Sequence, residues 1–235
     1  MLDAAGSAHQ ICSMNSHKVT ARKALLLPTI VIFALLSIAA SPGLPPSRQA
    51  RVALISGDVR IDGKKADMGQ TLGPVVEIET GPHARCDIIF GGDNAISFGQ
   101  NTHANIDFAA AIVAIRLNRG FVTSVLRKLE KIVGKPGFDI TTPQALAAVR
   151  GTSFCVWCLG DETYACACNG SVHFETPDGS QGETVTAAHH AGRTFTNKAG
   201  KIVIEPAGIL FHSDASVQSV ASDIGYTIDW SKPDD

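Results

Sequence analysis

Turn signals interrupt this chain so often that the segments between them suit short β-strands over most of its length. Apolar residues flank Gly57-Asp58, Asp62-Gly63 is typical of a tight hairpin turn, and another apolar segment ends at Thr80-Gly81. Turn signals spaced by about 8–12 residues are typical of sandwiches and barrels. The sequence therefore predicts an all-β fold, an antiparallel twisted sandwich or roll of short strands.

One segment departs from this alternation. Apolar residues at positions 122, 125, 126, 129, 132 and 133 recur at helical spacing, with charged residues between them. Gly134 and Pro136 follow, and both are typical of a helix end. We expect one amphipathic helix at about 122–133, whose apolar face covers the sheet.

The N-terminal segment has the features of a targeting sequence. Basic residues at positions 18, 22 and 23 precede an uncharged, apolar run at 24–40, as in a secretory signal peptide. Ser37 and Ala39 suit cleavage after Ala39, and the run is shorter than the roughly 20 residues of a spanning helix. Residues 1–40 are therefore predicted to be a signal peptide or an N-terminal membrane anchor. Both alternatives place the rest of the chain outside the cytoplasm, in a periplasmic or other extracytoplasmic compartment.

The remaining chain divides where its composition changes. Residues 41–50 contain three prolines and are predicted to be a linker. The strand-rich part spans 51–205, and 206–235 form a C-terminal extension with a short helix at 213–222 and a frayed polar end. The net charge is −2 and the isoelectric point about 6.4, so we expect no nucleic-acid partner, which would require a basic surface.

Motifs of catalysis and nucleotide binding are absent from the sequence. It contains no GxGxxG after a strand, no GxSxG, no HExxH and no phosphate-binding loop. Its carboxylates are scattered rather than paired. We therefore predict no catalytic residue and no cofactor-binding residue, and we expect a protein that is not an enzyme.

An unusual set of cysteines surrounds Gly160-Asp161, a turn signal between two strand-like runs. Side chains alternate between the two faces of a strand. A hairpin with a two- or four-residue loop then brings five residues to one face: Cys155, Trp157, Tyr164, Cys166 and Cys168. The small and apolar residues between them face the core, as does Cys158 near the turn.

Three interpretations of these cysteines remain open. The first is disulfide bonding, because an exported compartment is oxidising. The second is a metal or redox site, since thiolates on one hairpin suit zinc or iron, with an imidazole added by an adjacent histidine pair. The third is that the thiols are small buried hydrophobic groups. The candidate metal ligands are Cys155, Cys158, Cys166, Cys168, His189 and His190.

Counting and strand geometry limit these interpretations. One of the six cysteines, Cys12, precedes the predicted cleavage site, so the five that remain cannot all pair within one chain. His189 and His190 lie on a predicted strand at 185–195, where neighbouring side chains point in opposite directions, so at most one is expected to be a ligand. A surface role is expected for the histidines without ligand spacing: His83, His103, His173 and His212.

Thr142-Pro143 followed by Val149-Arg150-Gly151-Thr152 resembles the signature of the FecR domain family. Further pieces follow the family's order across residues 52–195. Gly99-Gln100-Asn101-Thr102 resembles one of them, and Asn169-Gly170-Ser171-Val172 resembles another, with asparagine in place of the usual glutamate. The chain is therefore expected to carry a FecR-like domain over most of its strand-rich part.

The resemblance implies a role in envelope signalling. FecR regulators sense iron–siderophore uptake and combine a periplasmic FecR domain with a cytoplasmic anti-sigma domain and a receptor-binding C-terminal domain. The flanking segments here are short for those two domains, so we expect a stand-alone extracytoplasmic FecR-like domain. Its predicted function is binding or signalling through a protein partner in the cell envelope, with a membrane contact if residues 1–40 are uncleaved.

Two alternatives to this function stay open. One is a metal- or redox-binding envelope protein that uses the cysteines and histidines, and the other is a structural protein held together by disulfides. Some FecR-like sequences carry a CxCxG strand with a downstream histidine pair, and this chain is similar to them at 166–170 and 189–190. That likeness favours the metal or redox alternative.

Overall fold

The computed structural model describes residues 49–110, 112–127 and 137–234. The predicted signal peptide or anchor at 1–40 and nearly all of the predicted linker lie outside these residues. Among the described residues, no helix is long and apolar enough to cross a membrane. The described elements are β1 (Ala50–Ser56), β2 (Val59–Ile61), β3 (Lys64–Lys65), β4 (Val75–Thr80), β5 (Arg85–Phe90), β6 (Asn94–Phe98), β7 (His103–Asp107), β8 (Val113–Leu126), β9 (Phe138–Thr141), β10 (Leu146–Leu159), β11 (Glu162–Glu175), β12 (Gly182–Ala187), β13 (Ala191–Lys198), β14 (Lys201–Ala207) and α1 (Asp214–Ser222).

Three long strands, β8, β10 and β11, organise the sheet. β10 pairs with β11 along its whole length, while its first part also pairs with β9 and its later part with β8. β8 and β9 are parallel, and the other pairings among the described strands are antiparallel. The predicted all-β fold is confirmed.

β8 changes partners at Gly120. Its first part pairs with β7, and its second part pairs with β6. Gly120 has a φ of +94°, and a Cβ at this position would lie 2.4 Å from Thr102, so the bend requires glycine. One strand thereby joins two parts of the sheet.

The helix predicted at 122–133 is wrong for residues 122–126, which form the end of β8. Val122 packs into the main core, whereas Val125 is buried on the opposite face. A strand that is covered on both faces loses its apolar–polar alternation, so residue spacing alone does not distinguish it from a helix. Residues 128–133 lie outside the described residues.

The buried side chains form two groups. The main core contains most of the buried aliphatic and phenylalanine side chains, including Phe154 and Val156. A second cluster lies on the other face of the β10–β11 hairpin, beneath the C-terminal segment. It consists of Ala95, Val125, Cys155, Tyr164, Cys166, Cys168, Val217, Val220, Ala221 and Ile228.

The C-terminal segment begins its helix as the sequence predicts. Ser213 is the N-cap of α1, and its side chain accepts a hydrogen bond from the Ser216 backbone N–H while Ser216 returns one to the Ser213 backbone. The predicted helix at 213–222 is therefore confirmed.

The frayed end predicted after this helix is wrong. Ile228 is buried, and the side-chain amide of Asn169 in β11 donates hydrogen bonds to the carbonyls of Asp229 and Lys232, at 3.1 and 2.8 Å. A buried amide needs such partners, so Asn169 anchors a tail that has polar composition.

Candidate functional site

The β10–β11 hairpin determines where the cysteines lie. Its loop has two residues, and Cys155 lies opposite Cys166 in the register. Cys155, Cys166 and Cys168 join the second cluster and are almost fully buried. Cys158 lies on the main-core face, where its thiol donates a hydrogen bond to the carbonyl of Asn118 at 3.4 Å. The predicted division of the hairpin into two faces is confirmed.

A β-bulge determines the position of Cys168. Phe154 pairs with Ala167, and Ser153 pairs with Asn169, so Cys168 is the extra residue between two consecutive pairs. Bulges redirect a side chain and are frequent beside functional sites. The bulge is thus a local backbone feature that supports a specialised role for this cysteine.

The histidine pair lies in the loop between β12 and β13, not on a strand as predicted. His190 has a φ of +46°, its side chain is 1% exposed, and its Nδ1 lies 3.7 Å from Cys166 Sγ. His189 is 48% exposed, and its Nε2 lies 3.0 Å from the Asp214 carboxylate. Only His190 of the pair reaches the cysteines.

His212 completes the arrangement, although its sequence context gives no sign of this. Its Nε2 lies 3.5 Å from Cys168 Sγ and 3.0 Å from His190 Nδ1. It follows Cys168 by 44 residues and approaches only because the C-terminal segment returns across the hairpin. The predicted surface role of His212 is therefore wrong, and the missing signal is tertiary rather than local.

Four potential ligand atoms lie within 4.8 Å of one another, and the residues that carry them are called the Cys–His cluster here: Cys166, Cys168, His190 and His212. Three of these residues are among the six predicted ligands. Cys155 is adjacent, with its Sγ 3.5 Å from Cys168 Sγ, whereas Cys158 and His189 lie outside the cluster. The five cysteines within the described residues are free thiols, with no disulfide among them.

Comparison with known proteins relates this hairpin to a family. Residues 76–173 match the model of the family described as FecR protein. Residues 76–173, called the FecR domain below, are similar to this family. The match includes the signature at 142–152 as well as Cys166 and Cys168, and it ends before both histidines of the cluster. This similarity supports a signalling or regulatory role.

Two crystal structures from Parabacteroides distasonis, both described provisionally as anti-sigma factors, are similar to the chain. The first, at 2.50 Å resolution, has a TM-score of 0.46 and 19% identity, and the match covers 57% of this chain and 61% of the other. The second, at 1.65 Å resolution, has a TM-score of 0.45 and 16% identity, with 65% and 80% covered. The chain thus spans less than two thirds of the first structure. The search of the curated proteins found no match.

Hydrogen bonds and burial act differently on the two thiols that the FecR domain brings together. The hydrogen bond with Cys168 and those with His190 and His212 lower the pKa of Cys166 to about 3, against the effect of burial. Burial raises the pKa of Cys168 well above its ordinary value, and the neighbouring Cys155 and Cys166 raise it further. Without a bound ion, these contacts therefore favour the thiolate form of Cys166 and the protonated form of Cys168.

The histidines of the cluster complement this charge. Burial disfavours the cationic form of His212, but its hydrogen bond with Cys166 and the negative charges of Cys155 and Cys166 raise its pKa to about 9. The pKa of His190 is also raised, because hydrogen bonds with Cys166 and Asp214 outweigh its burial. A thiolate and a cationic imidazole thus stabilise each other in a buried place.

The outer side of each imidazole is also held. His190 Nε2 lies 2.8 Å from Asp214 Oδ1, and His212 Nδ1 lies 2.6 Å from the carbonyl oxygen of Leu210. The indole of Trp230 stacks on His190 with ring centroids 5.1 Å apart. Both rings therefore have a fixed orientation, with one nitrogen facing the cysteines of the FecR domain.

Proposed function

We propose that this chain is a regulatory protein of the cell envelope whose FecR domain acts through contact with a protein partner. The observation that carries the proposal is the FecR match over residues 76–173, because the FecR domain is the periplasmic part of the regulators that contain it. The basic residues before the apolar run at 24–40 support export or anchoring of the chain.

The proposed organisation follows the sequence boundaries. Residues 1–40 would direct or anchor the chain, 41–50 would link them to the FecR-like domain at 51–205, and 206–235 would form the extension that covers the second cluster. The FecR match lies entirely within the proposed domain.

An exposed apolar patch supports a protein contact. Phe211 is 50% exposed and lies against Trp157, with ring centroids 4.6 Å apart, and Trp157 packs on Phe121 at 4.5 Å. Exposed clusters of aromatic and aliphatic side chains mark interaction surfaces. We define the patch as these three aromatic residues, of which Phe121 and Trp157 are half-buried, together with the exposed apolar residues within two positions of them in sequence: Leu159, Ile209 and Leu210.

Reporter fusions test the location. The full chain joined at its C-terminus to alkaline phosphatase, which needs an oxidising compartment to become active, should give phosphatase activity in a Gram-negative host. The matched fusion to a fluorescent protein that matures only in the cytoplasm should stay dark. A fluorescent, phosphatase-inactive pair of strains would contradict the proposal.

Site-specific photo-crosslinking tests the contact. A photoreactive residue at Leu210, inside the patch, should give a discrete crosslinked product with an envelope protein in intact cells. The same residue at Lys64, exposed in β3 at the far end of the strand order, is the control. Equal products from the two positions, or none from Leu210, would contradict a role for the patch.

A further inference from the structure

The inner atoms of the Cys–His cluster have the spacing of ligands around a single ion. Cys166 Sγ and His190 Nδ1 are 3.7 Å apart, Cys168 Sγ and His212 Nε2 are 3.5 Å apart, and the two histidine nitrogens are 3.0 Å apart. Ordinary zinc–sulfur and zinc–nitrogen bond lengths in a tetrahedron place such ligand atoms about 3.3 to 3.8 Å from one another. The two sulfur–nitrogen separations lie within this range, the two nitrogens are slightly closer, and the other pairs among the four atoms lie within 4.8 Å.

The outer hydrogen bonds direct the inner nitrogens toward such an ion. The carbonyl oxygen of Leu210 is only an acceptor, so His212 Nδ1 carries the hydrogen in that contact. The Asp214 carboxylate likewise accepts from Nε2 of His190. Once the rings are neutral, His190 Nδ1 and His212 Nε2 both present lone pairs to the space beside the cysteines. Metal-binding histidines are oriented by such contacts with a carboxylate or a backbone carbonyl.

Two neutral rings with facing lone pairs need a cation between them, and only a proton or a metal ion fits. We propose that Cys166, Cys168, His190 and His212 bind one Zn²⁺ ion in a closed tetrahedral site with two sulfur and two nitrogen ligands. This set of four ligands, without an acidic or water-facing position among them, is typical of structural zinc. Zinc binding requires Cys166 and Cys168 as thiolates and both rings as neutral imidazoles, so any further protons on these four groups are released, and no electron is transferred.

An iron–sulfur cluster fits these residues less well. When two cysteines and two histidines hold a two-iron cluster, each pair binds a different iron. Here the two sulfur atoms and the two nitrogen atoms form a single group, in which all four lie within 4.8 Å of one another, rather than two separate pairs. The alternative group of His189, His190 and Asp214 shares His190 and is better explained as the outer contacts of that ring.

The ion would join three separate parts of the chain. The cysteines belong to β11, His190 to the loop before β13, and His212 to the segment that precedes α1. His190 and Phe211 both have positive φ, at +46° and +62°, a conformation that costs free energy for residues other than glycine. Bonds to a metal offset that cost and hold the C-terminal segment against the hairpin.

Cys155 would remain outside the ligand set. Its thiol lies within hydrogen-bonding distance of both Cys168 Sγ and the Thr123 hydroxyl, at 3.5 and 3.4 Å. In the zinc-bound protein, Cys155 would donate to the Cys168 thiolate and so stabilise its charge. The same proximity makes a Cys155–Cys168 disulfide the main competing outcome.

The test begins with the full chain, purified without chelators or a histidine tag. Mass spectrometry of the metal content should find one zinc per chain, and thiol counting should show cysteines that become reactive when zinc is removed. Replacement of zinc by Co²⁺ should give the visible absorption of tetrahedral cobalt together with thiolate-to-cobalt charge transfer. These measurements on the unaltered protein do not depend on whether any variant folds.

Matched variants identify the ligands. Cys166→Ser and His212→Ala should each bind zinc at least about tenfold more weakly, because even outer contacts of a metal site contribute that much. Cys158→Ser, in the main core, and His189→Ala, beside the true ligand, should retain full zinc binding. The proposal is overturned by a zinc-free protein with free thiols, by a Cys155–Cys168 disulfide, by an octahedral cobalt spectrum, or by zinc loss in the two control variants equal to that in Cys166→Ser. It does not depend on the proposed protein partner, since metal content is measured on the isolated chain.

Discussion

The two faces of the β10–β11 hairpin remain buried by different means. On one face, Phe154 packs edge-on against Phe138 within the main core, among side chains without charge. On the other face, Cys166 and Cys168 contact two imidazoles from distant parts of the chain. Alternation along the same two strands places these unlike environments back to back.

The two faces differ in the interactions that stabilise their side chains when these are buried away from water. Apolar side chains are stabilised by removal from water, and their contribution depends on volume and fit. Thiols and imidazoles lose their interactions with water when they are buried, so hydrogen bonds, opposite charges or a metal ion must replace those interactions. The main core should therefore respond mainly to changes in side-chain volume, and the second cluster to metal supply and ionisation.

A cavity in the main core should have the largest effect. Phe154→Ala removes a fully buried ring and should lower the free energy of unfolding by about 3–5 kcal/mol. Denaturant unfolding measures this, and the loss should be the same with and without a chelator. A loss that depends on the chelator would mean that the two faces are not independent.

Removal of zinc should act on the second cluster alone. At free zinc about 100 times the dissociation constant, binding contributes about 2.7 kcal/mol, which corresponds to roughly 100-fold protection of amides that open only when the ion leaves. Chelation should therefore speed hydrogen exchange at 208–232 and leave β4, which lies in the main core, unchanged. Exchange that accelerates uniformly, or at neither place, would contradict the separation of the two faces.

An outer contact should have a smaller effect than a ligand. Asp214→Asn keeps the shape of the side chain that holds His190 but removes its charge, and should weaken zinc binding roughly 10–100-fold. Competition with a chromophoric chelator measures the change. His189→Ala removes the other imidazole that contacts Asp214 and should leave the zinc affinity nearly unaltered. This control separates the role of Asp214 from the general effect of charge near the Cys–His cluster.

These contrasts also explain what the sequence could predict. The opposite faces of the hairpin follow from side-chain alternation and one turn signal, so the positions of Cys155 and Cys166 could be predicted locally. His212 could not, because only tertiary packing of the C-terminal segment brings it to Cys168. The end of β8 was mistaken for a helix. Val122 and Val125 are buried on opposite faces of the strand, so the spacing of apolar residues no longer shows the two-residue period of a strand.

A single hydroxyl group should contribute less than the metal. The Tyr164 hydroxyl donates a hydrogen bond to the Gly208 carbonyl at 2.9 Å and accepts one from the Leu210 backbone N–H at 3.2 Å. Tyr164→Phe should cost about 1–2 kcal/mol, because it leaves backbone groups without these partners. Tyr226→Phe, whose hydroxyl contacts the more exposed Asp234, is the control and should cost less in the same unfolding measurement.

The smallest predicted effect is a pH dependence where the C-terminal helix meets the main sheet. Asp223 caps the C-terminal end of α1. Burial, followed by the nearby Asp87 carboxylate, raises its pKa from 3.8 to about 6, although Arg85 opposes the shift. Because the folded protein binds this proton more tightly than the unfolded chain, stability falls as pH rises between about 4 and 6. Asp223→Asn removes this titration. The difference in free energy of unfolding between the variant and the original protein should therefore shift by about 1 kcal/mol in favour of the variant from about pH 4 to about pH 8, after allowance for solvent screening. Unfolding at both pH values with chelator present measures this difference without the metal. An equal gain at both pH values would contradict the raised pKa of Asp223.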